Sequence, residues 1–299
     1  MTERFSGEWL ALREPFDHVS RSVRLAKRLA GELPRRPRIV DLGGGNGSLF
    51  RFLAPIIGRG QDWVLLDADS LLLDEAFGRT AAWARRQGFA ATAMGDTLHL
   101  STSRGLWRVQ MVVRDLSAAS VCNEPWGAEH DAVVCSALLD LVSMAWLRRL
   151  TRSIRVPFLA FLTADGRDSW RPHHRLDTLV RGAFRRDMRR DKGFGAALGM
   201  QAWHALTRVS ASAPSDWRIP RAALNMQRAL IDSTADAARA ACPAQVRAIT
   251  EWQQARLRQA LLGRLAITIG HRDILVLPPE VPPEVPLGED DAHAPRRDR

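Results

Sequence analysis

Tyrosine is absent from the chain, cysteine occurs only at Cys122, Cys135 and Cys242, and lysine only at Lys27 and Lys192. Three scattered cysteines are too few for a disulfide framework and lack the paired spacing of a zinc site, so no metal centre is expected. No apolar run approaches the length of about 18 residues that a membrane-spanning helix needs, so no membrane partner is expected. The opening MTERFSGEWLALREPFD carries acids where a secretory signal has a basic and then an apolar stretch, which makes the cytoplasm the expected compartment. With lysine so rare, 41 of the 43 basic residues are arginine, the habit of a GC-rich genome that writes arginine wherever a cation will serve.

What is present is ordinary for a folded chain: 299 residues with 46% hydrophobic and 25% charged, which excludes wholesale disorder and gives room for one large domain or two small ones. The unusual figure is a net charge of +10. A nucleic-acid binder would also be basic, so the location of the charge decides. Residues 1–150 hold 19 cations and 17 acids, and 221–299 hold 11 and 10, whereas 151–220 hold 13 and 6. The excess belongs to one segment, and nucleic acid is the weaker reading of it.

Hydrophobic periodicity predicts alternating strands and helices. A helix over Asp17–Ala30 is broken by Pro34 and Pro37. Arg38–Leu42 is a short buried strand, followed by a glycine cluster and a helix from Ser48. Trp63–Leu66 is a second strand ending at Asp67, and a helix runs from Ser70 to Gln87. Residues 96–115 form a hairpin, Asp131–Cys135 a further strand, Ser143 caps a helix, and Val156–Leu162 is a fifth strand. Beyond it come helical insertions over about 166–206 and 221–262, a sixth strand over Val209–Ile219, and a last strand over Leu265–Leu277. This spacing means a parallel α/β sheet with crossovers. Residues 278–299 are rich in proline and charge, the composition of a disordered tail.

A strand that stops at a glycine loop and restarts as a helix is a nucleotide-binding device, because glycine lets the backbone approach the ligand and the helix start offers free N–H groups. Counting from Gly43 and Gly45 puts Ser48 where a dinucleotide fingerprint needs its third glycine, and no lysine stands where a Walker A loop needs one. Asp41-Leu42-Gly43-Gly44-Gly45-Asn46-Gly47 instead resembles, without a gap, the first motif of class I S-adenosylmethionine-dependent methyltransferases. Asp67, twenty residues after Gly47, matches the ribose-binding acid of that family, and Asp115 the acid that binds the adenine amino group. Asp96 is the rival to Asp115, since the 48 residues from Asp67 to Asp115 make a long gap. Asp131–Ser136 resembles the fourth-strand motif beside the methyl donor. The resemblance covers roughly residues 38–165 and implies a Rossmann-like, doubly wound sheet, mostly parallel with a reversed last strand. Helical insertions would form a substrate cap, S-adenosylmethionine would be the cofactor, and Asp41, Gly43, Gly45, Gly47, Asp67, Asp115, Leu116 and Cys135 would form its site. On this reading residues 1–37 cover the site and 38–277 form the catalytic domain.

Three places could hold the acceptor. Asp140, after the fourth strand, lies about where some small-molecule O-methyltransferases resembling this chain carry a catalytic histidine. An aspartate there is a departure that does not inherit base catalysis but could bind a cationic or hydroxylated group. In the N-terminal segment, Arg13, Glu14, Asp17 and His18 crowd charge together. Arg13 is a candidate for the cofactor and His18 for catalysis, against a plain salt-bridged helix start. In the basic segment, Arg171, His173, His174 and Lys192 are candidate substrate ligands, against a solvated arginine face. The function expected is methyl transfer to a small, polar, anionic metabolite. Two alternatives stand beside it: an RNA or protein methyltransferase docking through 151–220, and a protein that binds S-adenosylmethionine without methylating.

Overall fold

Arg38–Leu42 (β1) buries four of its five residues, and they alternate between two cores. Ile39 packs with Leu29, Leu53 and Trp63 on one face, while Val40 and Leu42 pack with Leu139, Trp146 and Leu147 on the other. Strands buried on both faces read as continuous apolar runs, which is why β1 is visible in the sequence. In the computed structural model, which describes residues 5–118, 129–206 and 208–278, β1 lies at the centre of a ten-stranded sheet. The expected disordered tail lies almost wholly outside the described residues, as does Cys122. No helix among the described residues is long and apolar enough to cross a membrane.

On one side of β1 lie Gln61–Asp67 (β2), then the meander of Gly105–Val113 (β5), Thr97–Thr102 (β4) and Ala90–Met94 (β3). On the other side lie Ala132–Ser136 (β6) and Phe158–Arg171 (β7), followed by Ala266–Val276 (β10). Neighbours among β5, β2, β1, β6 and β7 pair in parallel, and β10 pairs antiparallel with β7. The fold is thus Rossmann-like and doubly wound, mostly parallel with a reversed last strand, as the sequence pattern predicts. Its crossovers are the helices Ser48–Ile57 (α3), Ser70–Arg86 (α4) and Met144–Ser153 (α5), the last capped by the Ser143 hydroxyl as expected.

Four elements differ from the sequence reading. The first helix is two, Gly7–Ser20 (α1) and Val23–Glu32 (α2), with Val19 and Val23 exposed. Ser22 caps α2 through its side chain while its own N–H donates to Asp273 Oδ2 at 2.6 Å, a long-range bond that no local periodicity reveals. β3 is an alanine-rich edge strand, mostly exposed, and so has no apolar alternation to betray it. The sixth strand is split into Ala211–Pro214 (β8) and Trp217–Ile219 (β9), both on β10, whose register shifts between Ile269 and His271.

The largest difference is β7, which runs to Arg171 rather than stopping at Leu162. Its first four residues pair with β6, and from Leu162 onward it continues past β6, held by β10 alone. This two-stranded ribbon rises from the carboxyl edge of the parallel sheet. The helices Asp177–Asp187 (α6), Leu224–Ala241 (α7) and Val246–Leu261 (α8) complete the cap. Asp177, at the start of α6, accepts from Trp252 Nε1 at 2.8 Å and from the Arg256 guanidinium, both on α8, and Arg256 is fully buried.

A buried pair loses far more when one partner is removed than when both are, because the survivor keeps its charge without compensation. Arg256→Ala should therefore lower stability by about 3–5 kcal/mol in urea denaturation. A cost below about 1 kcal/mol would show that this pair does not hold α6 to α8.

Candidate functional site

The glycine loop is moulded onto the neighbouring strand. The N–H groups of Gly43 and Gly44 both donate to the Leu66 carbonyl at 2.9 Å, and a Cβ on Gly44 would stand 3.0 Å from that of Leu65. Gly47 begins α3 with φ +80°, a left-handed conformation that costs glycine little. Arg51 braces the loop from behind: its Nη1 donates to the Asn46 carbonyl at 2.8 Å, and its other nitrogens grip both oxygens of Glu14 at 2.7 and 2.8 Å. Glu14 thereby docks α1 on α3, and Leu10 reaches to 3.2 Å of where a Gly45 side chain would begin. The N-terminal helix lies on the loop.

Three acids stand at or just beyond the carboxyl ends of three adjacent strands. Asp67 closes β2 and accepts from the N–H groups of Gly45 and Asp69 at 2.9 and 3.0 Å; burial raises its pKa, against these bonds. Asp115 lies two residues past Val113, the partner of Asp67 in the β2–β5 register, and accepts from Ser117 N–H. Asp96 sits in the β3–β4 turn instead, its carboxylate held by Thr97 and Gln110. Leu116 is buried, with its carbonyl accepting from Trp146 Nε1 at 2.7 Å.

Asp41 differs in kind. It is fully buried in β1, and neither carboxylate oxygen has a hydrogen-bond partner. Burial raises its pKa to about 7, partly offset by the Arg21 guanidinium and reinforced by Asp67. Cys135, paired with Leu42 on the adjacent strand, is buried too, and its thiol pKa is pushed up by burial and by Asp41. Arg21, which the sequence reading did not single out, spans the site from the break between α1 and α2. It donates to Ser48 Oγ at 3.1 Å and to Ser136 Oγ at 3.0 Å, joining the start of α3 to the end of β6. Its only sequence signal is an arginine at a helix junction, which is too common to read.

Beside this cluster, above the end of β6, a cavity of about 410 Å³ is enclosed by α1, the ribbon and the cap helices. Ala137 and Leu162 on its wall both have φ +53°, a strained setting for residues with side chains, of the kind that clusters where the chain must be re-aimed at a site. Arg13, Asp140 and Lys192 line it; His18, Arg171, His173 and His174 do not. His18 lies on the outer side of α1 with its ring 5.2 Å from Phe52, and burial with nearby Arg21 lowers its pKa. His173 is largely exposed, 4.0 Å from Asp177, and Arg171 is exposed at the tip of the ribbon. Asp140 is fixed from the cap, since Gly199 N–H donates to its carbonyl at 2.9 Å.

The cations of the basic segment that reach the cavity are bound to its own acids. Arg181 and Arg185 face Asp168 at 3.4 and 3.8 Å, Lys192 meets Asp187 at 3.1 Å, and Arg167 bridges Asp165 and Asp216. From α1, Arg13 meets Asp17 at 3.0 Å and lies over the Trp217 ring at 4.7 Å. Among the described residues, no group of three or more His, Cys, Asp or Glu is placed to hold a metal ion.

No protein-family model matches the chain, and no curated protein matches it. Among solved structures, a SAM-dependent methyltransferase from Thiobacillus denitrificans in complex with S-adenosyl-L-homocysteine is similar at 13% identity and a TM-score of 0.42, over 92% of this chain and 100% of that one. A SAM-dependent methyltransferase from Geobacter sulfurreducens, in complex with the same molecule, is similar at 14% identity and a TM-score of 0.39, over 86% and 90%. Geranyl diphosphate C-methyltransferase from Streptomyces coelicolor is similar at 10% identity and a TM-score of 0.40, over 85% and 78%. At this distance a functional reading has to rest on the geometry of the chain itself.

Asp41 gives that geometry a pH signature. The folded chain holds its proton up to about pH 7, whereas the unfolded chain releases it near the ordinary carboxylate value of 3.8. Stability therefore falls as pH rises from about 4 to 7, by something on the order of 4 kcal/mol. Asp41→Asn should flatten that slope in denaturant titrations at pH 4.5 and 7.5; an unchanged slope would place the proton elsewhere.

Proposed function

We propose that the chain is an S-adenosylmethionine-dependent methyltransferase acting on a small molecule. The observation that carries this reading is the arrangement of Asp41, Asp67 and Asp115 at or just past the ends of adjacent strands, around a glycine loop whose Gly45 N–H donates to Asp67. In open α/β sheets ligands bind outside the carboxyl ends of the strands, where the strand order reverses, and here that point falls between β1 and β6.

The residues fit such a cofactor. Asp41 and the Asn46 amide nitrogen are buried polar groups without partners, as expected where a ligand completes the hydrogen bonding. Asp67 is set to accept from ribose hydroxyls and Asp115 from an adenine amino group, with Leu116 and Cys135 forming apolar walls. Gly43, Gly45 and Gly47 bring backbone within reach of the amino-acid portion, with Arg13 and Arg21 nearby. When bound, the cofactor supplies a methyl group already activated by its sulfonium, so the protein's share is positioning and, where needed, removal of a proton. Asp140 is the acid on the cavity wall nearest in sequence to the end of β6, and it is our candidate for orienting the acceptor or taking its proton. His18, away from the cavity, is the second candidate and would need α1 to shift.

The cavity supports a small acceptor over RNA or a protein. Its volume falls within the roughly 300–1,000 Å³ of small-molecule sites, and the basic segment spends its cavity-side charge on internal ion pairs rather than on a docking face. Methylation over mere cofactor binding is supported by the cavity that begins just past the end of β6, at Ala137 and Asp140.

S-adenosylmethionine or S-adenosylhomocysteine should raise the melting temperature by roughly 5 °C at a hundredfold excess over Kd, while NAD should leave it unchanged. Asp67→Ala should abolish most of that shift, and an equal shift with NAD would sink the cofactor assignment. Incubation of labelled S-adenosylmethionine with a fractionated cell extract should yield a labelled small product together with S-adenosylhomocysteine. Methylthioadenosine in its place would mean a different reaction.

A further inference from the structure

The wall of the cavity says more about its ligand than its volume does. Trp9, Trp170, Trp217 and Trp252 all line it, with Phe184 and Met188 beside them. The two most buried indoles have spent their polar groups elsewhere: Trp217 Nε1 donates to Asp17 at 3.0 Å and Trp252 Nε1 to Asp177 at 2.8 Å. What these rings offer a ligand is hydrocarbon. Each of the five lining cations, Arg13, Arg167, Arg181, Arg185 and Lys192, already has a carboxylate partner. Pairing with these carboxylates offsets much of the positive charge on the wall, which favours a neutral ligand over an anionic one.

Among the polar lining groups, His271 is an uncharged one that can both donate and accept. His271, on β10 where the ribbon register shifts, is 7% exposed, and its Nδ1 is buried with no hydrogen-bond partner. Its ring lies edge-on to Trp217, with centroids 5.0 Å apart. The charged groups around it are Arg13 from α1, Asp165 from β7 and Asp216 from the β8–β9 turn. Burial and Arg13 lower its pKa to about 4, against the two acids. The ring is therefore neutral at physiological pH, with one nitrogen a donor and the other an acceptor. Whichever nitrogen faces the cavity, a hydroxyl can answer it, donating to an acceptor nitrogen or accepting from an N–H.

We infer that the cavity takes an uncharged, planar, largely apolar molecule bearing a hydroxyl group, with its body against the tryptophans and its hydroxyl on His271. This rests on the methyltransferase reading and narrows the acceptor to hydroxylated aromatic or polycyclic compounds, away from the anionic metabolite that the net charge suggested.

The test uses the full chain saturated with S-adenosylhomocysteine and three probes, 2-naphthol, naphthalene and 2-naphthoate, titrated by calorimetry at pH 7.5. 2-Naphthol should bind at least tenfold more tightly than either of the others. His271→Phe should remove the advantage of 2-naphthol over naphthalene while leaving naphthalene affinity within about threefold, and His271→Gln should restore part of it. Ala237→Phe, which fills the cavity from α7, should weaken all three probes by tenfold or more. Tighter binding of 2-naphthoate than of 2-naphthol would overturn the neutral class, and equal loss of naphthol and naphthalene in His271→Phe would make the histidine structural. The thermal shift with S-adenosylhomocysteine, measured on every variant, separates the two failures. If that shift persists and the probes do not bind, this inference fails alone; if it is absent from the parent chain, the cofactor reading fails.

Discussion

Asp273 is the residue on which the rest of the site hangs. It is fully buried on β10, and two backbone N–H groups from distant parts of the chain end on it: Ser22 at 2.6 Å and Leu162 at 2.8 Å. The first bond fixes the break between α1 and α2 and so places Arg21 across the glycine loop. The second holds Leu162 in its left-handed conformation, at the point where β7 leaves β6 and becomes the wall of the cavity. A buried carboxylate is costly unless its oxygens are satisfied, and here the satisfaction ties the helix break at Ser22 to β7 and β10 of the sheet. Burial still raises its pKa despite these bonds.

Much of the glycine-loop side was legible because its signals are local. β1 and β6 announce themselves as short apolar runs, Gly43–Gly47 as a cluster, and Asp67 and Asp115 by their places at or just past strand ends. The cavity side was not, because its geometry comes from pairings between residues far apart in the chain. The extension of β7 to Arg171 depends on β10, nearly a hundred residues later, and nothing in the composition of 163–171 marks it as strand. His271 sits in a run of ordinary strand residues, and only the bulge in β10 and the packing of Trp217 give it significance. Arg13 and Asp140, candidates for the cofactor and for catalysis, line the cavity, whereas His173 and His174, candidates for substrate, do not.

The charge excess is also resolved by pairing at long range. Residues 151–220 look like a basic patch when counted along the sequence. In space, Asp165, Asp168, Asp187 and Asp216, from the same segment, and Glu251, from α8, absorb much of that charge. Exposed pairs of this kind add little stability each. The buried Lys192–Asp187 and Arg256–Asp177 pairs matter more for fixing where the cap helices sit.

Helix α1 touches both halves of the site with residues one position apart. Leu10 and Glu14 press on the glycine loop and its brace, while Trp9 and Arg13 border the cavity. A helix is stiff over 14 residues, so these two stripes cannot move independently. Occupancy of one compartment that shifts α1 must alter affinity in the other, and by thermodynamic reciprocity the factor is the same in both directions. The N-terminal helix is thus a shared partition between the glycine loop and the cavity.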